Sequence, residues 1–312
     1  MPANSTDFDK FYVEKIEPIL PRLKQMQGKG RAWRAVTVGA MCVTLLYGIA
    51  VYTNPSFGDG WVIFFLVCMV LVGFYQSVHN NDAYTDAHKT LVITEVINYV
   101  ALGVVFKPYK NVSSKAFKES RLYQYDYKYF EGNDYMEGII HGIRFQCSEL
   151  NVTCNDPDGA GFLTVFKGLF FVAALGSHIS GGTFIWPRKE HAGAERLNRY
   201  YELLPVKGTQ KIITGDAGFD QYFRLRSSMP SEAAILLSDQ RRLSMLKICQ
   251  ATQLPLSFSF VAGRCYVGIP LNENLLEASR SQAGAKEEVK KHFISISLIA
   301  GLIRQLALPE LL

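Results

Sequence analysis

The chain has 312 residues, of which 48% are hydrophobic and 20% charged, enough to bury a sizeable core. Its formal net charge of +5 comes from scattered Lys and Arg that form no clustered basic stripe, so nucleic acid is not an expected partner. Cys42, Cys68, Cys147, Cys154, Cys249 and Cys265 show neither C-x-x-C pairing nor zinc-like spacing. They are expected to be reduced thiols packed as small hydrophobes, with no metal and no cofactor.

Taken in order, residues 7–27 have apolar side chains at helical spacing (Phe8, Phe11, Tyr12, Ile16, Ile19, Leu20, Leu23). Pro18 and Pro21 each remove a backbone donor and predict a kink. Acidic residues share the polar face, which favours a helix packed on the protein itself over one lying in a membrane interface. Two apolar runs follow, 35–53 and 60–78, free of Asp, Glu, Lys, Arg and His. Each suits a helix crossing about 30 Å of hydrocarbon. Only Asn54-Pro55-Ser56-Phe57-Gly58-Asp59 joins them, so an antiparallel transmembrane hairpin is expected, with the lipid bilayer contacting residues 35–78. The polar, partly acidic stretch ahead of the first run is unlike a signal peptide, and the hairpin is expected to persist.

Lys29, Arg31 and Arg34 precede the first run, and the connection contains no Lys or Arg. Positive residues stay on the cytoplasmic side, which predicts a multi-pass inner-membrane protein with both termini in the cytoplasm. Trp33 and Trp61 sit at span ends, where amphipathic rings prefer the headgroups. Small residues recur every four positions, as Ala40, Thr44 and Gly48 in one run and around Met69, Gly73 and Ser77 in the other. These faces are expected to close the hairpin on itself, with homo-oligomer formation as the alternative.

His79-Asn80-Asn81-Asp82 is expected to end the second span. Residues 90–106 carry Glu95 and Asn98 and read as a soluble amphipathic helix, because a carboxylate at mid-bilayer is costly. The expected domains are therefore an N-terminal helix (1–34), the hairpin (35–78) and a cytoplasmic α+β domain (79–312). Within the last, a short helix starts at Ser114, and 136–152 and 162–175 are β-type runs separated by the turn Asn155-Asp156-Pro157-Asp158-Gly159. A strand over 183–186, a short helix over 194–202, a strand or the entry to one over 219–225 and a helix over 231–248 come next. A hairpin pairs 256–261 with 265–269, and a striped helix over 286–308 closes the chain. The fold class is α+β: a two-helix transmembrane hairpin followed by an antiparallel sheet packed by helices.

Chemistry-bearing motifs are sparse. Asp134 and Glu137 flank a glycine-bounded turn, and His141 lies four residues on. Together they could act as acid, base or metal ligands, although local turn and strand-end bonding explains them as well. Ser177, His178 and Ser180 lack a nucleophile-elbow context and read as a hairpin tip. The alternating Tyr123, Tyr125, Tyr127 and Tyr129 suit core packing or a partner surface. The leading expectation is a membrane-anchored binding or scaffold protein with a protein partner. The alternatives are a membrane-tethered enzyme using Asp134, Glu137 and His141, and a small-molecule or lipid sensor.

Several short motifs occur in a recognisable order. They are Phe8-x-x-Phe-Tyr-x-x-x-Ile16-x-Pro18 ahead of two close spans, Gly132-Asn-Asp134-Tyr-x-Glu137-Gly138, and Ser148-Glu149. Phe166-Lys-Gly168-Leu-Phe-Phe171, Phe219-x-x-Tyr222-Phe, Ala233-Ala234-Ile-Leu236-Leu and Phe258-x-Phe260 before Tyr266 follow. In this order the chain resembles DUF3137, a family of bacterial membrane proteins of unknown function. The resemblance implies a cytoplasmic α+β domain on a membrane hairpin, and no reaction.

Overall fold

A computed structural model of the chain describes residues 5–124, 126–140, 142–156, 159, 161–175, 179–188, 206–278 and 285–306. His141, Tyr125, Ser177, His178 and the helix expected over 194–202 lie outside the described residues. The architecture is α+β, with two long apolar helices followed by an antiparallel sheet and its helices. The chain divides into a helical unit, built on residues up to Tyr99 with Leu276–Ile294, and a sheet unit built on Val100–Leu275 and residues from Ser295.

The helical unit starts with α1 (Ser5–Phe11), a π turn (Tyr12–Ile16), a 3-10 turn (Glu17–Ile19) and α2 (Leu20–Thr53). At Pro18, where a kink is expected, the helix changes to a 3-10 turn. Pro21 stands in the first turn of α2, where a helix makes no use of its missing N–H. Phe8, Phe11, Tyr12 and Ile16 are buried. Phe8 meets Phe293 edge-on at 5.4 Å, and Phe11 lies 4.8 Å from Tyr99. The apolar face of this segment is thus covered by protein.

The second long helix is α3 (Gly60–Ala87), which continues through a π turn (His88–Ile93) into α4 (Thr94–Val100). The helix therefore runs on past His79, where the apolar run ends. The Asn80 amide donates to the Gln76 carbonyl (2.7 Å) and the Thr85 hydroxyl to that of Asn81 (3.1 Å). Polar side chains that bond back to their own preceding turn leave the helix intact. This continuity corrects the separate helix over 90–106, which is the end of this continuous rod followed by a strand.

In the sheet unit the strands are β1 (Val105–Lys107), β2 (Tyr129–Ile140), β3 (Ile143–Asn155), β4 (Phe162–Ala174), β5 (Gly182–Pro187), β6 (Gln210–Ile212), β7 (Phe223–Ser227), β8 (Ser257–Val261) and β9 (Arg264–Pro270). All pairings are antiparallel, in the order β1-β2-β3-β4-β9-β8-β5-β7-β6. The expected run over 136–152 is two strands. Ile140 pairs with Ile143, and Gly142 ahead of Ile143 has φ +81°, a left-handed conformation that suits glycine.

Helices α5 (Ser114–Glu119), α6 (Ala217–Tyr222), α7 (Pro230–Leu236), α8 (Asp239–Thr252) and α9 (Lys286–Leu306) complete the described elements. Two expectations need correction here. Residues 219–222 are helical because the Asp216 carboxylate accepts from the Phe219 N–H (3.1 Å) and caps α6. The helix expected over 231–248 is broken at Leu237 and Ser238 into α7 and α8. The sheet's core is aromatic, with Phe117 stacked on Tyr123 at 5.1 Å and touching Phe170 at 5.1 Å. Tyr123 is therefore core, as expected for part of the tyrosine run.

Candidate functional site

Two features carry functional information, the hairpin and a polar groove across the sheet. Within α2 and α3, Val38, Leu45, Leu46, Phe65, Leu71 and Phe74 are exposed. Only 11% and 6% of the apolar windows of these helices are buried, unlike the core helices of a soluble protein. Exposed apolar surface on this scale marks the chain as membrane-associated. At the connection, Asp59 accepts from the Trp61 N–H (3.0 Å) and caps α3, while its own N–H donates to the Tyr47 hydroxyl (3.2 Å). Lys29, Arg31 and Arg34 are exposed, and Trp61 is 72% exposed.

The seam of the hairpin differs from the expected four-residue face. From Gly30 to Tyr47 the shielded positions of α2 are Gly30, Trp33, Thr37, Ala40, Thr44 and Tyr47, alternating steps of three and four. This heptad-like spacing keeps two helices in contact along their length, whereas a strict four-residue step drifts off the interface. Ala40, Thr44, Gly73 and Ser77 lie on the seam, while Gly48 and Met69 are exposed and lie off it. At Gly73 an added Cβ would sit 2.7 Å from the Thr37 hydroxyl. That hydroxyl donates to the Trp33 carbonyl (2.8 Å), as the Thr44 hydroxyl does to Ala40 (2.7 Å). Both polar groups are thereby satisfied within their own helix.

In the sheet unit, three of the short sequence motifs converge. Gly132 pairs with Leu150, Asn133 with Glu149, Leu150 with Gly168, and Gly168 with Pro270, so β2, β3, β4 and β9 meet at one place. A Cβ at Gly132 would collide with the Glu149 carbonyl, and one at Gly168 with the Ile269 carbonyl. The glycines let the strands approach and leave a polar groove of about 370 Å³, bordered by Glu131, Glu149, Asn151, Lys167 and Glu273. Glu149 is buried and accepts from the Leu275 N–H at 2.7 Å. Lys167 donates to the Asn272 carbonyl at 3.2 Å.

Asp134 does not lie in a turn ahead of the strand. It occupies a bulge inside β2, where the register shifts between Asn133 and Met136, with φ +56° and full burial. Its N–H donates to the Pro108 carbonyl at 2.9 Å. Glu137 pairs with Lys107 and accepts from the Tyr135 hydroxyl at 2.9 Å. Hydrogen bonding to Lys107, then to Tyr135, holds its carboxyl below the usual range. Burial, then the bond to Glu137, pushes Tyr135 up to about 12. A carboxylate so held is ionised at neutral pH and poorly matched to proton transfer there.

Among the described residues, one group of three metal-ligating side chains comes together, His88, Glu288 and His292. Neither Asp134 nor Glu137 belongs to it. Its sequence signal is Glu288-x-x-x-His292, which puts both on one face of a helix. The cysteines at 147, 154, 249 and 265 are buried and all six are free. Burial raises the thiols of Cys249 and Cys265 to about 12, which makes them unreactive.

Residues 164–308 match the model of the family described as "Protein of unknown function (DUF3137)", the family that the chain resembles in its order of short motifs. No curated protein matches. Among solved structures, the crystal structure of the mycobacterial trehalose monomycolate transport factor A, TtfA, is similar over 64% of this chain and 88% of that one. The identity is 8% and the TM-score 0.32, a likeness too slight to carry an argument.

Proposed function

We propose that this is a multi-pass inner-membrane protein, anchored through residues 35–53 and 60–78, whose α+β portion is a cytoplasmic binding module for a protein partner. The observation that supports it best is the pair of long helices with bare apolar flanks joined by a capped six-residue connection. The basic residues on one side, Lys29, Arg31 and Arg34, favour the cytoplasmic placement of that side. The groove at Gly132, Glu149 and Gly168 is the face offered to the partner, because the motif residues there shape an open polar surface.

Impermeant thiol labelling of single-cysteine variants tests the topology. Ser56→Cys in the connection is labelled in intact cells, and Lys24→Cys only after permeabilisation. The opposite pattern overturns the orientation. For the binding role, a photo-crosslinker at Lys167 yields a discrete adduct in membranes that Glu131→Arg suppresses. An adduct pattern unchanged by that charge reversal removes the groove from the proposal.

A further inference from the structure

Outside the groove, the described part of the helical unit holds one cluster of ligating groups. His88 opens the π turn after α3, and Glu288 and His292 lie one turn apart on α9. One ligand atom from each lies within 4.8 Å of the others, with His88 Nε2 3.8 Å from Glu288 Oε1. The two imidazoles meet edge-on at 5.3 Å. His88 is fully buried, His292 is 3% exposed and the Glu288 side chain 11%. Neither ring nitrogen of His88 has a hydrogen-bond partner. A buried imidazole with both nitrogens unused is costly unless something occupies that place.

The electrostatics favour a cation there. A neutral imidazole offers a cation a ring-nitrogen lone pair, and both imidazoles here are buried. Glu288 contributes the compensating negative charge. The Lys89 ammonium, the nearby cation, pairs with Glu277 at 3.4 Å. Helices with π turns recur at functional sites, since the extra residue re-aims side chains, and here the turn begins on His88 itself. His88 lies beyond the apolar run 60–78, about 15 Å past its end at 1.5 Å per residue.

We propose that His88, Glu288 and His292 bind one divalent transition-metal ion of the zinc class. Two imidazoles and a carboxylate form a donor set that suits zinc, with a fourth position left for water. Zinc–ligand distances of about 2.0–2.2 Å place ligand atoms roughly 3.3 Å apart, so the three side chains close by about 1.5 Å or less, within reach of χ rotations. The ion joins the rod that continues from α3 to the first turns of α9, and it stabilises the helical unit by binding only the folded form.

The test uses the full chain in detergent, stripped with a chelator and then titrated with Zn²⁺ or Co²⁺. One ion per chain is expected, with a rise in melting temperature and a cobalt d–d band lacking thiolate charge transfer. Glu288→Gln and His292→Gln each weaken uptake by more than about tenfold, the upper range for losing even an outer-shell partner being larger. A folded wild-type chain that takes up no metal overturns the proposal. So does uptake unchanged in both variants. If the variants fail to fold, the wild-type cobalt spectrum still decides, because a thiolate band assigns the metal to the cysteines.

Discussion

The helical and sheet units solve the same problem, bringing two backbone segments unusually close, with glycines placed against different neighbours. In the hairpin, Gly73 faces a side chain, the Thr37 hydroxyl, which can be removed or turned. In the sheet, Gly132 and Gly168 face backbone carbonyls of the adjacent strand, which cannot move without breaking the ladder. Helix–helix closeness is therefore adjustable, whereas strand–strand closeness is fixed by the hydrogen-bond register. The glycines that shape the groove are accordingly harder to replace than Gly73.

The comparison breaks first at Gly168. Its φ of +144° already lies outside the ordinary range for a side chain, and an added methyl meets both the Ile269 carbonyl and the Leu271 N–H. Gly168→Ala is expected to cost more than the roughly 1–3 kcal/mol of ordinary overpacking. A thermal melt of the purified variant is expected to show the sheet unit lost while far-UV helicity largely persists. A near-native melt would mean that the strands are not locked as described.

Next in size, Phe117→Ala empties the centre of the aromatic core, where Phe117 contacts Tyr123, Phe166 and Phe170. The expected loss is about 3–5 kcal/mol, read from denaturant midpoints. Gly73→Ala sharpens the contrast. It is expected to cost about 1–3 kcal/mol, and a second change, Thr37→Ala, recovers much of that because the colliding oxygen is gone. Additive losses in the double variant would show that the α2–α3 seam is as rigid as the sheet.

Legibility in the sequence follows the same division. The hairpin was readable because lipid demands long uncharged runs, and nothing else in a chain looks like 35–53 or 60–78. The ends of its helices were not, because Asn80 and Thr85 bond to their own helix and so carry no stop signal. Antiparallel strands were legible as β-type runs, but the turn after Ile140 lacks an Asn-Gly or Asp-Gly signature, so β2 and β3 merged. The motif residues Gly132, Glu149 and Gly168 were visible singly. Their meeting is a matter of register across strands far apart in sequence, which local periodicity does not encode. Likewise Glu288 and His292 share a helix face, while His88 joins them from a segment 200 residues earlier.

The smallest effect separates the two readings of Glu137. As an ion-paired strand residue it contributes little, because the pair with Lys107 is partly solvated, with both side chains about 40% exposed. Glu137→Gln is expected to cost less than about 1 kcal/mol at neutral pH. Because the folded-state pKa of Glu137 lies below its unfolded value, its contribution is complete above that unfolded value, about 4.3. It fades as the pH falls through the lower folded-state value, so wild-type and variant melts converge in acid. A stability difference that stays constant from neutral pH into acid would show that the charge of Glu137 plays no part in the fold.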